Sequence, residues 1–340
     1  KTIGIDNFTF EESFFEDFYY EECEKINCDI LIISFYYNYI FENPHLPREA
    51  DQQIEYIINR LEILQKKVKK DIIFIPQPPY AKFIHKNHRN QIYDNLILPY
   101  LQNYIGKNKI NSIYLNDIFT SSNSELLNEG SIAFSPDNCI LMGIKIASKI
   151  RQIIEVPTKL IALDFDNTLW EGEIAESGVN NIPKIKNSDS SFEKFQEYLL
   201  SLTKTGILLI GRSNNEESLV NEFFETRKDL ILKKEDFLKI YAGWDSKSLY
   251  LKNALDSLNL STSGIVFIDD SELERNDMKL NFPSIEIPDL SSHENWINEL
   301  ELSATIRYSN ITREDLVRKN FYKDELKRKE FGFTKTLNKN

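Results

Sequence analysis

Short apolar runs recur along this chain, each followed by a segment of helical period, in two series that meet near Pro157. The first series is "TIGID" at 2–6, "DILIISF" from Asp29 to Phe35, "DIIFI" from Asp71 to Ile75 and "SIYL" from Ser112 to Leu115. Between them, Arg48 to Lys70 places Ile54, Ile57, Ile58, Leu61 and Leu64 on one helical face, and a further helix is expected from about Ile140 to Ile154. The second series is "LIALDFD" (160–166), "GILLIG" (206–211), "KIYAG" (239–243), "GIVFIDD" (264–270) and "SIEIP" (284–288), separated by helical patterns at Ser191–Thr203, Glu216–Glu225 and Ser246–Leu258. Alternation of this kind builds parallel sheets covered by helices on both faces. The expectation is therefore an α/β chain of two doubly wound, Rossmann-like domains, 1–155 and 156–340. A charged tail from Thr312 to Phe331, with apolar Leu316, Phe321, Tyr322 and Leu326, reads as an amphipathic helix docked on the second domain. "SSNSE" at 121–125 is expected to be a polar loop.

A chain of 340 residues suits two domains. Its 41% apolar and 28% charged residues are those of a globular protein. The net charge of -12, with no basic patch to offset it, argues against nucleic-acid binding. Cys23, Cys28 and Cys139 are odd in number and lack the paired spacing of a metal site, so reduced thiols and a cytoplasmic location are expected. No apolar run reaches the ~18 residues of a membrane span, and no charged-then-apolar leader opens the chain, although a start at Lys1 without Met is compatible with trimming.

The ends of the second series carry the chemistry. Ligands of open parallel sheets bind beyond the carboxyl ends of the strands. There the sequence offers Asp164 and Asp166, then Arg212, Ser213, Asn214 and Asn215, then Asp245 and Lys247, then Asp269 and Asp270. Crowded carboxylates share a cation or take up protons. Mg²⁺ is the economical partner, since it takes one or two carboxylates and leaves its other positions to water and phosphate oxygens. Any one of these aspartates could instead cap a helix or fill a turn, and Lys247 alone could be a solvated helix residue.

"DFDNT", a strand ending in Ser213, Lys247 and "IDD", in that order, resemble the four motifs of the haloacid dehalogenase (HAD) superfamily of phosphotransferases. The resemblance implies that Asp164 is a nucleophile forming an aspartyl-phosphate and that Asp166 is the acid and base. It further implies that Thr168 supports the turn that aims them, that Ser213 and Lys247 hold the transferring phosphoryl group, and that Asp269 and Asp270 join Asp164 and Asp166 around Mg²⁺. Arg212, Asn214 and Asn215 are expected to line the substrate site.

"LDFDNTLWEGEIAESG", "WDSKS", "FIDDSELER" and "ITREDLVRKNFYKDE" resemble more closely the FkbH-like branch, HAD subfamily IIIC, over roughly Leu160 to Glu330. The branch motifs read approximately LDLDNTLWGGVIGEDG, W-x-x-K, FIDDNPxER and T-x-E-D-x-x-R-x-x-x-Y-x-x-E. Its members transfer a glyceryl unit from 1,3-bisphosphoglycerate to an acyl carrier protein through a cysteine thioester. Where that branch has C-S-K-N, this chain has Arg212, Ser213, Asn214 and Asn215, so the acceptor cysteine is missing. Phosphoryl transfer to water is favoured over acyl transfer. Arg212 either adds a cation for bidentate anion binding or pairs with a motif carboxylate. Glu274 and Arg275 are either an internal ion pair or a substrate contact. The stretches between Thr168, Ser213 and Lys247 are largely taken up by scaffold elements, so no large cap fits. That leaves a large substrate, a carrier-bound one, or cover from the first domain.

In the first domain, "SPDNCILMGIKIASKI" from Ser135 to Ile150 resembles the last block of SGNH-type hydrolases, but Ile140 stands where the histidine after Asp137 would be. "GIDNFTF" also lacks a Gly-Asp-Ser nucleophile. A noncatalytic, SGNH-like domain for binding or scaffolding is implied, and His45, His85 and His88 read as surface residues. The expected function is a Mg²⁺-dependent phosphatase of a phosphorylated small molecule or carrier-linked intermediate. The alternatives are glyceryl transfer to an acyl carrier protein and a noncatalytic assembly partner.

Overall fold

The computed structural model describes residues 27–36, 49–77, 93–114, 136–186, 190–308 and 312–337. The expected strand at 2–6, the "GIDNFTF" stretch, Cys23, His45, His85, His88, the loop at 121–125 and the side chain of Asp137 lie outside them. The chain divides into two compact units, Lys1–Ile154 and Glu155–Asn340.

The first unit carries a parallel sheet in the order β1-β2-β3, formed by β1 (Ile30–Tyr36), β2 (Asp71–Gln77) and the two-residue β3 (Asn111–Ser112). α1 (Ala50–Gln65) and α2 (Leu98–Asn108) cover one face, where Ile57, Leu61, Leu64, Leu101 and Ile105 pack on Ile72 and Phe74. α3 (Pro136–Ile154) covers the other, with Ile150 on Ile73, Ile75 and Ile113. Successive strand residues point to opposite faces, so a run such as "IIFI" feeds both layers.

The second unit has four parallel strands in the order β6-β5-β4-β7: β4 (Leu160–Asp164), β5 (Leu208–Ser213), β6 (Lys239–Ala242) and β7 (Ile265–Ile268). The expected strand at 284–288 is reduced to a single bridge, Val266 to Glu286, held by Phe267 N–H to Glu286 O at 2.9 Å and Glu286 N–H to Ile265 O at 3.1 Å. Between β4 and β5 lie the short α4 (Ile174–Ser177) and α5 (Ser191–Thr203). α6 (Glu217–Thr226) precedes β6, α7 (Lys247–Leu258) links β6 to β7, and α8 (Glu272–Asn281), α9 (Trp296–Leu302) and α10 (Arg313–Leu337) follow. This is the expected α/β class with doubly covered parallel sheets. Odd-numbered β4 residues Ile161 and Leu163 meet α5, α6 and α9, while even-numbered Leu160 and Ala162 meet α7, α8 and α10. Among the described residues no helix is long and apolar enough to cross a membrane.

The tail is docked by a specific latch. Thr312 and Asp315 cap each other: Asp315 Oδ2 accepts from Thr312 N–H at 2.8 Å and from its hydroxyl at 2.9 Å, while Asp315 N–H donates to Thr312 Oγ1 at 3.2 Å. Arg318 pairs with Asp315 and donates to Gly206 O at 3.2 Å. Further along α10, Leu326 is buried with the α7 side of the core and Tyr322 packs beside it. Phe321, expected on that face, is 63% exposed, because a single buried stripe passes through Tyr322 and Leu326 four residues apart.

Gly206 makes the latch possible. Its φ is +91°, and a Cβ there would stand 2.5 Å from Asp315 O. Gly206→Ala is expected to lower stability by about 2–4 kcal/mol, combining left-handed backbone cost with overpacking, and to open α10 to proteolysis. Arg318→Ala should cost less, about 1 kcal/mol. Urea unfolding and limited proteolysis of the three proteins would check both.

Candidate active site

The carboxyl ends of β4, β5 and β7 and the start of α7 converge. In register, Asp164 lies beside Arg212, and both follow the even-numbered alternation toward α7. Lys247 is the first residue of α7, whose N-cap Ser246 accepts from Leu249 N–H. From there its ammonium reaches Asp164 Oδ1 at 2.9 Å and Asp269 Oδ2 at 2.6 Å. All three side chains are buried, Asp269 completely. Asp164, Asp269 and the exposed Asp270 each offer an oxygen within 4.8 Å of the others. Three carboxylates around one lysine leave positive charge in deficit. Burial raises Asp164, helped by Asp269 and Asp270 and opposed by Lys247, and burial raises Asp269 against the same lysine. Burial alone would lower Lys247, but Asp164 and Asp269 more than offset it and hold the ammonium above its ordinary range. Oxygen donors in this arrangement suit a small, hard divalent cation.

Asp166, expected among the metal ligands, is not in that group. The left-handed Asn167 (φ 55°) turns the chain after β4, so Asp166 points to a different set of partners. Its Oδ1 accepts from Trp170 Nε1 at 2.8 Å and Ile174 N–H at 3.3 Å, and its Oδ2 accepts from Asn215 Nδ2 at 2.6 Å. Burial raises its pKa against these donors. Asn215, expected at the substrate, also donates to Ser213 Oγ at 2.9 Å and so ties Asp166 to Ser213. Thr168 is fully buried in the turn after β4: its N–H donates to Phe165 O at 3.1 Å, its carbonyl accepts from His293, and its hydroxyl has no partner among the described residues. Phe165, between the two aspartates, packs against β5, where a Cβ at Gly211 would fall 2.2 Å from its ring. Its edge contacts are Phe224 and Phe237.

The two arginines beside the site bond chiefly to main-chain carbonyls. Arg212, 5% exposed, neither faces solvent as an anion clamp nor pairs with a motif carboxylate. Its Nη2 donates to Asn214 Oδ1 at 2.8 Å, Gly243 O at 2.8 Å and Asp245 O at 2.7 Å, and its Nη1 donates to Ser213 O. Its guanidinium stacks over Tyr250 at 4.1 Å, and burial lowers its pKa. Asn214 is thus a partner of Arg212. Among the described residues Arg275 forms no ion pair with Glu274. Its Nη1 clasps the carbonyls of Asp269 and Asp270, both at 2.7 Å, and so fixes the end of β7.

No protein-family model matches this sequence, and no curated protein matches it. A solved structure does: the N-terminal part of the protein BF1531 from Bacteroides fragilis, containing a phosphatase domain and complexed with Mg, matches with a TM-score of 0.63 at 23% identity. The match covers 83% of this chain and 80% of that one. The likeness is one of fold.

His293 was not legible as part of this region, since it is a single histidine in a polar stretch with no motif around it. Its ring stacks on Phe192 with centroids 3.9 Å apart and contacts Trp296. The Thr168 carbonyl can only accept, so His293 Nε2 donates to it at 3.0 Å and Nδ1 accepts from Ser191 Oγ at 2.9 Å. The ring therefore joins the turn after β4 to α5 and α9. Burial lowers its pKa from 6.5, against the Thr168 carbonyl, Glu294 and Asp270. Because the folded state disfavours the proton, stability contributed by neutral His293 should be lost as pH falls below about 6.5, where the unfolded chain protonates. Thermal melts of wild type and His293→Gln between about pH 7.5 and about pH 5 check this: the wild-type Tm should fall more steeply than the variant's.

Proposed function

We infer that the chain is a Mg²⁺-dependent phosphatase of the haloacid dehalogenase type, acting through an aspartyl-phosphate on Asp164. The observation that carries this reading is Lys247 buried between Asp164 and Asp269 at the strand ends, with Asp270 completing a carboxylate group that fits a hard cation. The fold shared with a phosphatase-containing protein complexed with Mg supports it. Asp164, Asp269 and Asp270 would hold Mg²⁺, which when bound neutralises the carboxylates and polarises a phosphoryl oxygen.

Lys247 fixes one oxygen of Asp164, and among the described residues the other has no hydrogen-bond donor, leaving it available to attack phosphorus. As the phosphorus–oxygen ester bond breaks, Asp166 donates a proton to the leaving oxygen. Asp166 then takes a proton from water as the water oxygen attacks phosphorus, and the Asp164–phosphorus bond breaks to release phosphate. Burial keeps Asp166 protonatable, while Trp170, Ile174 and Asn215 aim it. Lys247 and Ser213 stand beside the position of the transferring group, where fixed positive charge and a hydroxyl match its equatorial oxygens.

The substrate class in this reading is a phosphorylated metabolite or a carrier-linked intermediate. Between β4 and β5 the described residues hold only α4, an irregular segment and α5, so the second unit brings no large cap of its own. Arg212 at the acceptor-cysteine position speaks against glyceryl transfer, since a guanidinium bonded to carbonyls offers no nucleophile.

Phosphate release should require Mg²⁺, disappear on chelation, fall at least about a thousandfold in Asp164→Asn and fall about a hundredfold or more in Asp166→Asn. A phosphatase screen over phosphorylated metabolites and p-nitrophenyl phosphate would show it, and wild-type turnover in Asp164→Asn would refute the nucleophile assignment. Incubation with 1,3-bisphosphoglycerate should leave no glyceryl mass on any cysteine. A stoichiometric, hydroxylamine-labile adduct seen by mass spectrometry would restore the transferase reading.

A further inference from the structure

Arg212 is a buried cation at the centre of the site that the phosphatase reading leaves without a role. Its two Nη atoms bond to the chain rather than to charge, and its buried Nε has no hydrogen-bond partner among the described residues. Gly243 O and Asp245 O both accept from the same Nη2, so one guanidinium nitrogen spans the loop between β6 and α7. The ring beneath the guanidinium, Tyr250, belongs to the first turn of α7, and its hydroxyl donates back to Ala242 O at 3.3 Å. Gly243 N–H donates to Ser213 O at 3.2 Å, closing the loop onto the end of β5 from the other side. Lys247 lies two residues beyond Asp245 and three before Tyr250, between the two points that Arg212 grips.

The geometry points to Arg212 as the positioning residue for Lys247. By fastening the 243–245 loop and the first turn of α7 to the strand that neighbours Asp164, it delivers the lysine ammonium to Asp164 and Asp269. This deepens the phosphatase reading and rests on it for its kinetic consequence. The loop needs such a fastening because it carries Trp244, 73% exposed, and because Lys247 sits at the helix N-terminus, where the helix dipole disfavours a cation. Lysine cannot replace Arg212. A point ammonium lacks the planar fork that reaches carbonyls of two segments and lies flat on Tyr250 at once.

The test uses Arg212→Lys and Arg212→Ala in the full chain, with two readouts. Amide hydrogen exchange over 243–250 should accelerate at least about tenfold in both variants, as expected when a local opening loses its anchoring bonds. With p-nitrophenyl phosphate and Mg²⁺, kcat should fall about 10- to 100-fold in both, the scale on which small misplacement of a reacting group acts, while KM stays within about threefold. Added guanidinium should restore part of the kcat of Arg212→Ala and none of that of Arg212→Lys. If Arg212→Ala does not fold, Arg212→Lys carries both readouts. Unchanged exchange overturns the clasp. Faster exchange with wild-type kcat, or a fully active Arg212→Lys, overturns the positioning of Lys247. If the wild type releases no phosphate from any ester, the phosphatase reading fails by itself, and the exchange measurement alone decides whether Arg212 holds the loop.

Discussion

The second unit depends on one buried ammonium. Lys247 lies between Asp164 and Asp269, at 2.9 Å and 2.6 Å, with little access to water. Removing one partner of such a group typically costs about 3–5 kcal/mol, because a charge is left buried and unpaired. The lysine also heads α7, whose first turn contains no acidic residue, so the local preference of a helix N-terminus is opposed twice. A sequence that satisfied local rules would not place a lysine there. The departure is tolerable because β4 and β7 are neighbours in the sheet, and Asp164 at the end of β4 and Asp269 just after β7 both reach the helix that covers them. Such conflicts between local preference and global arrangement concentrate at functional sites.

The pleat of β4 divides its acidic end into two environments. Asp164 follows Leu160 and Ala162 toward α7 and so meets Lys247 and Asp269. Phe165 follows Ile161 and Leu163 into the opposite layer, against Gly211 and the Phe224–Phe237 cluster. One residue later the chain has left the strand, and the Asn167 turn brings Asp166 among neutral donors. Two carboxylates separated by one residue thus differ in partner type, one among charges and the other among an indole, an amide and a main-chain N–H. Pairs of titratable groups in contrasting surroundings are how one site assigns different tasks to the same side chain.

How far the sequence could be read follows from what leaves a pattern in it. Period-two and helical alternation are patterns of side chains, so the strands ending at Asp164, Ser213 and Ile268 and the helix Ser191–Thr203 were legible. Convergence of acidic strand ends follows from the parallel sheet and was legible too. Arg212 and Arg275 were not, because their partners are the carbonyls of Ser213, Gly243, Asp245, Asp269 and Asp270, and a carbonyl has the same sequence signature at every residue. Charge invited an anion or a carboxylate partner where the fold supplied main chain. Asn215 joins Asp166 to Ser213 through its side-chain amide, a link between two loops that leaves no pattern in the sequence. The segment around Glu286 had strand-like alternation but forms a single bridge at the edge of β7, since alternation reports a half-buried surface and not the length of a ladder.

The tail signature sits at the opposite end of the strands from the charge cluster, yet the same layer joins them. Thr312, Asp315 and Arg318 fix the start of α10 to Gly206, the turn that enters β5 at its amino end. From there α10 runs against α7, and Leu326 shares one apolar cluster with Leu251, Leu255 and Leu258 of that helix. α7 is therefore held at three places: by α10 along its apolar side, by the sheet beneath it, and by Arg212 at its first turn. A helix constrained along its length can move its first residue only by bending or fraying, and helix ends fray unless capped or gripped. Ser246 and Tyr250 sit on either side of Lys247 and are gripped by a cap bond and by Arg212 respectively. A signature far from the chemistry and an arginine inside it then act on the same element, and both determine where one ammonium group stands.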